Sequence, residues 1–132
     1  MAGEEQPLSP DRETDLRMAI PEEIIDSLRA CGGIDGLISR LPADETLAGT
    51  GAVFRALADP VRLKILAMLA VQPLCVCVIK AVLGMADSKL SYHLSVLKKA
   101  GLIEGDQRGN WIIYRLTDAG AMWAEIVSGG QG

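Results

Sequence analysis

Residues 87–116 read DSKLSYHLSVLKKAGLIEGDQRGNWIIYRL, and a change of period inside this stretch decides the fold. The first half is helical: Leu90, Leu94 and Leu97 form one apolar stripe. Lys98 and Lys99 fall in the last turn, where they suit the helix dipole, and Gly101 stops the run. Beyond Gly101 the pattern becomes strand-like. Leu102-Ile103-Glu104 reads as a short strand and residues 105–110 as a turn. The β-branched and aromatic run Trp111–Leu116 reads as a second strand.

Working outward, Asp87 is expected to cap the first of these helices, and Gly84 ends a shorter helix expected over 75–83. Before it, Asp59 caps and Pro60 opens a helix expected over 61–71 that buries Leu63, Ile65, Leu66 and Leu69 and shows Arg62 and Lys64 to solvent. Pro73 breaks it. Leu47, Val53, Phe54 and Leu57 mark an earlier helix. After the hairpin, Thr117 or Asp118 caps a last helix carrying Met122, Trp123, Ile126 and Val127. Four helices, a hairpin and a helix make a mainly α (α+β) fold, a winged helix-turn-helix with a two-stranded wing.

An N-terminal helical extension precedes this domain. Pro21, Glu22 and Glu23 open a helix with Ile24, Ile25, Leu28 and Cys31 at helical spacing, ended by Gly32-Gly33. A second short helix is expected over 34–41, before Pro42. The expected organisation is a disordered tail at 1–14, a helical arm at 15–46, the DNA-binding domain at 47–128 and a tail at 129–132. The arm is too short to fold alone.

The net charge of -4 is unevenly spread. Residues 1–47 hold 11 Asp+Glu against 4 Lys+Arg, whereas residues 48–132 hold 6 against 9. A basic half suited to phosphate thus sits beside an acidic one. No stretch is long and apolar enough for a membrane span, and the acidic N-terminus lacks a signal-peptide pattern, so a cytoplasmic location is expected. The 3 cysteines are then expected as thiols, not as a disulfide framework.

Helix-turn-helix recognition requires a second helix whose apolar stripe docks inward while its N-terminal turns enter the major groove. The outer face here offers Ser88, Lys89, Ser91, Tyr92, His93 and Ser95 to bases and phosphates, with Lys98 and Lys99 in the last turn. Arg108 at the hairpin tip and Arg115 on its second strand are placed to follow the DNA backbone or minor groove. The partner so implied is double-stranded DNA. His93, the only histidine, is read as a packing or phosphate-contacting side chain, not as a metal ligand.

The runs LADPVRLKIL (57–66), CVC (75–77), DSKLSYHLSVLKKAGLI (87–103) and GNWIIYRLTDAG (109–120) resemble the ArsR/SmtB family of metal-responsive winged-helix repressors over about residues 48–128. The resemblance implies a homodimer on an inverted-repeat operator, released when an inducer binds. It further implies an interface formed by the first and last helices of the domain, with Leu47, Phe54, Met122, Trp123 and Ile126 as contacts. The stretch AMWAEIV (121–127) of the last helix holds one carboxylate, Glu125, and no histidine. It therefore lacks the His/carboxylate site that zinc- and nickel-sensing relatives place there.

Cys75 and Cys77 are the chemical centre of the sequence. Thiolates are soft ligands, suited to As(III) or Sb(III), with Cd and Pb as alternatives, and poor for magnesium or calcium. On a helix through 75–83 the two lie about 200° apart, so chelation is expected to require the first turn to unwind. In the arsenic-sensing relatives a third Cys follows three positions later; here Lys80 stands in that place. Cys31, on the arm, is the remaining candidate ligand, within the chain or across the dimer. Two rivals keep part of this reading: a thiol redox or persulfide sensor, and a winged-helix module that docks protein through the acidic arm. An enzyme is not expected: no Ser/His/Asp set, phosphate loop or Cys-x-x-Cys pair is present.

Overall fold

The computed structural model describes residues 19–129. The expected disordered tail at 1–14 and residues 130–132 lie outside that range. The chain divides into two units, Met1–Leu47 and Ala48–Gly132. In the first, α1 (Glu22–Ala30) and α2 (Gly33–Ser39) bury no residue. Here α2 starts one residue earlier and stops two earlier than expected, with Arg40 as its C-cap. A third helix, α3 (Asp44–Leu57), leads into the second unit.

The second unit holds the core. Asp59 caps α4 (Pro60–Val71), its carboxylate accepting from the Val61 N–H at 2.7 Å and the Arg62 N–H at 3.4 Å. Desolvation raises the Asp59 pKa, but those two backbone bonds and the nearby Arg62 guanidinium oppose it, and the net direction is down. A two-residue strand, β1 (Leu74–Cys75), precedes α5 (Val76–Leu83), which closes at Gly84 in the left-handed conformation. Then follow α6 (Asp87–Lys99), β2 (Ile103–Arg108), β3 (Trp111–Leu116) and α7 (Asp118–Val127). Ile65, Leu66, Ile79, Leu90, Leu97 and Leu102 are the largest fully buried side chains. They come from α4, α5, α6 and the entry to β2, so one aliphatic core holds the helix-turn-helix against the hairpin. The fold is a winged helix-turn-helix. No described helix is long and apolar enough to cross a membrane.

Three local expectations are corrected. The hairpin is longer than its composition suggests: β2 runs to Arg108, and only Gly109-Asn110 turn. Gly109 takes φ 60, as a two-residue hairpin turn requires. Gly105, expected in the turn, instead pairs with Tyr114, whose ring fills the space a Cβ would need. Asp87 does not cap α6. Ala86 occupies that position, and the Asp87 carboxylate reaches Lys80 Nζ at 2.6 Å, tying α5 to α6. The third correction is β1, which pairs antiparallel with β3 and makes the sheet three-stranded, in the order β1-β3-β2.

The last helix is anchored through its cap. Thr117 Oγ1 donates to the Gly101 carbonyl at 2.6 Å and accepts from the Gly120 N–H at 3.1 Å. A Cβ at Gly120 would run into the Leu102 carbonyl, so α7 lies directly on the backbone entering β2. Gly120→Ala is expected to cost about 3 kcal/mol, the upper end for overpacking. Thermal unfolding by circular dichroism should fall by roughly 10 °C or more. An unchanged midpoint would show that the two backbones can part freely.

Candidate thiol site and nucleic-acid interface

The sulfur pair is built at a junction of three elements. Cys75 ends β1, opposite Ile113 of β3, and serves as the extended N-cap of α5 (φ -80, ψ 159). Cys77 lies in the first turn of α5. Because Cys75 stands outside the helix, the 200° separation expected on a regular helix does not apply. Its Sγ is 2.6 Å from Sγ of Cys77, and both are free cysteines. The expected unwinding is therefore unnecessary: the backbone already turns the two sulfurs toward one another. Val82, farther along α5, is 64% exposed.

The two thiols are not equivalent. Hydrogen bonding from the Cys77 thiol, then from the Val78 N–H, holds the Cys75 thiol below its ordinary pKa. The same contact, assisted by desolvation and the Cys75 charge, pushes Cys77 up. Of the two, Cys75 is the sulfur favoured as a thiolate, with Cys77 favoured as the donor to it. A cavity of about 340 Å³ opens beside them, walled by Lys80, Asp87, Trp111 and Ile112. Its walls join the sulfurs both to the wing and to the start of α6.

Cys31 caps the C-terminus of α1 in the other unit and is half-buried. Among the described residues, no three His, Cys, Asp or Glu side chains gather as a metal cluster. The protein-supplied soft donors in one place are Cys75 and Cys77. They suit a thiophilic ion by softness and proximity, and Lys80 adds no soft donor.

On α6, Ser88, Lys89, Ser91 and Tyr92 are exposed and Ser95 is half-buried. Lys98 and Lys99 are exposed in the last turn. His93 does not belong with them. It is only 5% exposed, and its Nδ1 lies 3.1 Å from Arg62 Nη1. Arg62, expected in solvent, donates from Nε to the Ala56 carbonyl at 2.7 Å and from Nη2 to the Arg55 carbonyl at 3.0 Å. It thereby closes the C-terminus of α3 and links that helix to α6. A guanidinium only donates, so His93 Nδ1 is the acceptor. Sequence periodicity misses this link because an Arg two places past a helix-opening Pro ordinarily reads as a solvated cation.

The wing arginines are also already engaged. Arg108 Nε is 3.0 Å from Asp106 Oδ2, and Arg115 lies between Glu104 at 3.6 Å and Asp106 at 3.8 Å. Elsewhere, Phe54 of α3 and Trp123 of α7 meet edge to face, ring centroids 5.5 Å apart. Phe54, Met122 and Ile126 are 53%, 54% and 62% exposed. Leu47, at 49%, belongs to the other unit.

Comparisons with known proteins agree with the fold. A sequence profile described as "Bacterial regulatory protein, arsR family" matches residues 59–104. An uncharacterized HTH-type transcriptional regulator of Methanocaldococcus jannaschii is 40% identical over 67 residues, 50% of this chain and 75% of that protein. The arsenical resistance operon repressor of Escherichia coli is 37% identical over 73 residues; the match covers 54% of this chain and 62% of the repressor. This chain thus spans less than two thirds of that repressor's length. The solution structure of a homodimeric winged helix-turn-helix DNA-binding domain from Mycobacterium bovis superposes with a TM-score of 0.58 at 29% identity. That likeness covers 70% of this chain and 86% of the other.

Proposed function

The chain belongs to the arsR family of bacterial regulatory proteins, and from that premise we propose that it is a homodimeric transcriptional repressor. In this reading it holds an inverted-repeat operator and leaves it when As(III) or Sb(III) is captured by Cys75 and Cys77. Its place is the cytoplasm, and its activity is regulatory, not enzymatic. The observation that carries the reading is the 2.6 Å approach of the two sulfurs at the point where β1, α5 and the wing meet.

Each sulfur bonds the metalloid in place of one of its hydroxyl groups, and the two displaced hydroxides leave as water with the thiol protons of Cys75 and Cys77, so two bonds to sulfur replace two bonds to oxygen. Capture acts on two elements of the DNA-reading apparatus. Through the β1–β3 pairing it bears on the wing, and through the Lys80–Asp87 ion pair it bears on the start of α6. The inducer must bind the DNA-free form more tightly than the DNA-bound form, with a coupling of about 1–3 kcal/mol. A third donor, where the relatives carry Cys and this chain carries Lys80, is left to Cys31 or to solvent.

Fluorescence anisotropy on the DNA upstream of the gene tests the whole reading. The protein–DNA complex is titrated separately with arsenite, antimonite, cadmium, lead, zinc and a peroxide. Arsenite or antimonite should release the duplex at the lowest concentration. Release by peroxide alone would replace metalloid sensing with redox sensing. Retention under all six would end thiol control, and failure to bind DNA at any salt would leave a protein-docking module.

A further inference from the structure

The helix-turn-helix carries a basic cleft that no part of the thiol site uses. It lies between α3, α4 and the flank of α6, holds about 500 Å³, and is lined by Arg55, Arg62, Tyr92 and Lys99 among small apolar side chains such as Ala52 and Ala58. Among the described residues, no carboxylate lines it. We propose that this cleft seats a backbone phosphate of bound DNA, and that it, more than the wing, supplies the sequence-independent part of the grip. This rests on the DNA-binding reading and adds to it a site and a division of labour.

The distribution of ion pairs supports the assignment. Residues 48–132 contain 9 Lys and Arg. Among the described residues, Lys80, Arg108 and Arg115 are ion-paired to carboxylates. Both wing cations are thus neutralised where they stand, and a phosphate approaching them must first displace Asp106 or Glu104. Among the same residues, Arg55 and Lys99 make no such pair and keep their full charge for a ligand. The Asp59 carboxylate, the acidic group closest in sequence, is turned to the Val61 and Arg62 N–H groups.

Arg62 gives the cleft a fixed wall. Its three hydrogen bonds, to the Arg55 and Ala56 carbonyls and to His93, hold a positive charge in place with little side-chain freedom left to lose. Arg55 and Lys99 then act as mobile jaws, and the Tyr92 hydroxyl, on a side chain 62% exposed, can donate to a phosphate oxygen. Tyr92 and Lys99 share one face of α6, seven residues apart, so a phosphate held there also sets how that helix lies in the groove.

The test uses the full chain with operator and non-cognate duplexes, in a salt series read by anisotropy. Arg55→Gln combined with Lys99→Gln should weaken both duplexes by the same factor, about tenfold or more at low salt. The slope of log K against log salt should become shallower by about 0.9 for each phosphate that the variant no longer neutralises. Arg108→Gln combined with Arg115→Gln should lose less affinity than the cleft variant. An unchanged slope in the cleft variant, or a larger loss in the wing variant, overturns the proposal while leaving DNA binding itself intact. Absence of DNA binding by the unaltered protein would sink the underlying reading as well. A last arm titrates inorganic pyrophosphate into the DNA-free protein. Saturable binding that vanishes in the cleft variant, with DNA affinity untouched, would make the occupant a small phosphate compound and refute the DNA assignment.

Discussion

Cys75→Ser and Cys77→Ser are each expected to leave the protein on its operator at arsenite concentrations that strip the unaltered chain. The midpoint for release should rise about 100-fold or more, while operator affinity stays within about threefold. The size follows from chelation. With both sulfurs on one side of the α5 start, the second bond forms at the effective concentration of a tethered group, and avidity gains of about 10²–10⁴ are ordinary for such linkage. A serine hydroxyl is a hard donor and does not restore it. Operator affinity survives because neither sulfur lies on α6 or at the exposed wing tip. The two variants should also differ from one another. Because Cys77 donates to Cys75 and lowers its pKa, Cys75 should alkylate faster with iodoacetamide near neutral pH. Cys77→Ser should preserve much of that reactivity, since a hydroxyl can also donate. Release at the wild-type midpoint in either variant would remove that residue from the switch. Cys31→Ser decides the third donor: an unchanged midpoint leaves the pair acting with solvent, and a tenfold rise brings in the arm.

Much of the fold is legible in the sequence itself. The leucine stripe of α6, the Asp59-Pro60 start of α4 and the β-branched run of β3 are local signals, and each becomes the element its period implies. What escapes depends on residues distant in sequence. A two-residue strand has no period to read, so β1 is invisible, and with it the fact that Cys75 sits in a strand and not on a helix. That single shift changes the proposed mechanism from unwinding a helix to loading a junction. His93 is a polar residue beside an apolar stripe, and periodicity alone does not say that Arg62, 31 residues away, meets it in the interior. Composition marks Arg108 and Arg115 as phosphate ligands; cross-strand register places Glu104 opposite Arg115 and brings Asp106 to both. Gly105 misleads in the other direction: it signals a turn by itself, yet it is the residue small enough to pair beneath the Tyr114 ring.

A double substitution, Met122→Glu with Ile126→Glu, is expected to convert the proposed dimer to a monomer and to lower operator affinity by about 10²–10⁴. Both side chains are more than half exposed on α7, beside the Phe54–Trp123 edge-to-face pair. Together they form an apolar surface on a unit whose own core is already filled by Ile65, Leu66, Leu90 and Leu97. A two-fold axis brings the same patch of both copies together, so each new carboxylate meets its own image or a neighbour of like charge. Desolvating such charges without partners is unfavourable enough to break an interface of ordinary size. Light scattering should then report the 14.0 kDa chain mass in place of twice that value. Because neither residue is in the core of the unit, circular dichroism should retain the helical signal. Affinity falls because each monomer engages one half-site without the tether that makes the second contact intramolecular, and the loss should vanish on a duplex carrying a single half-site. A variant that keeps the dimeric mass would move the interface off α7. A monomer with undiminished operator affinity would instead show that one winged helix suffices, and the inverted-repeat expectation would fall with the dimer.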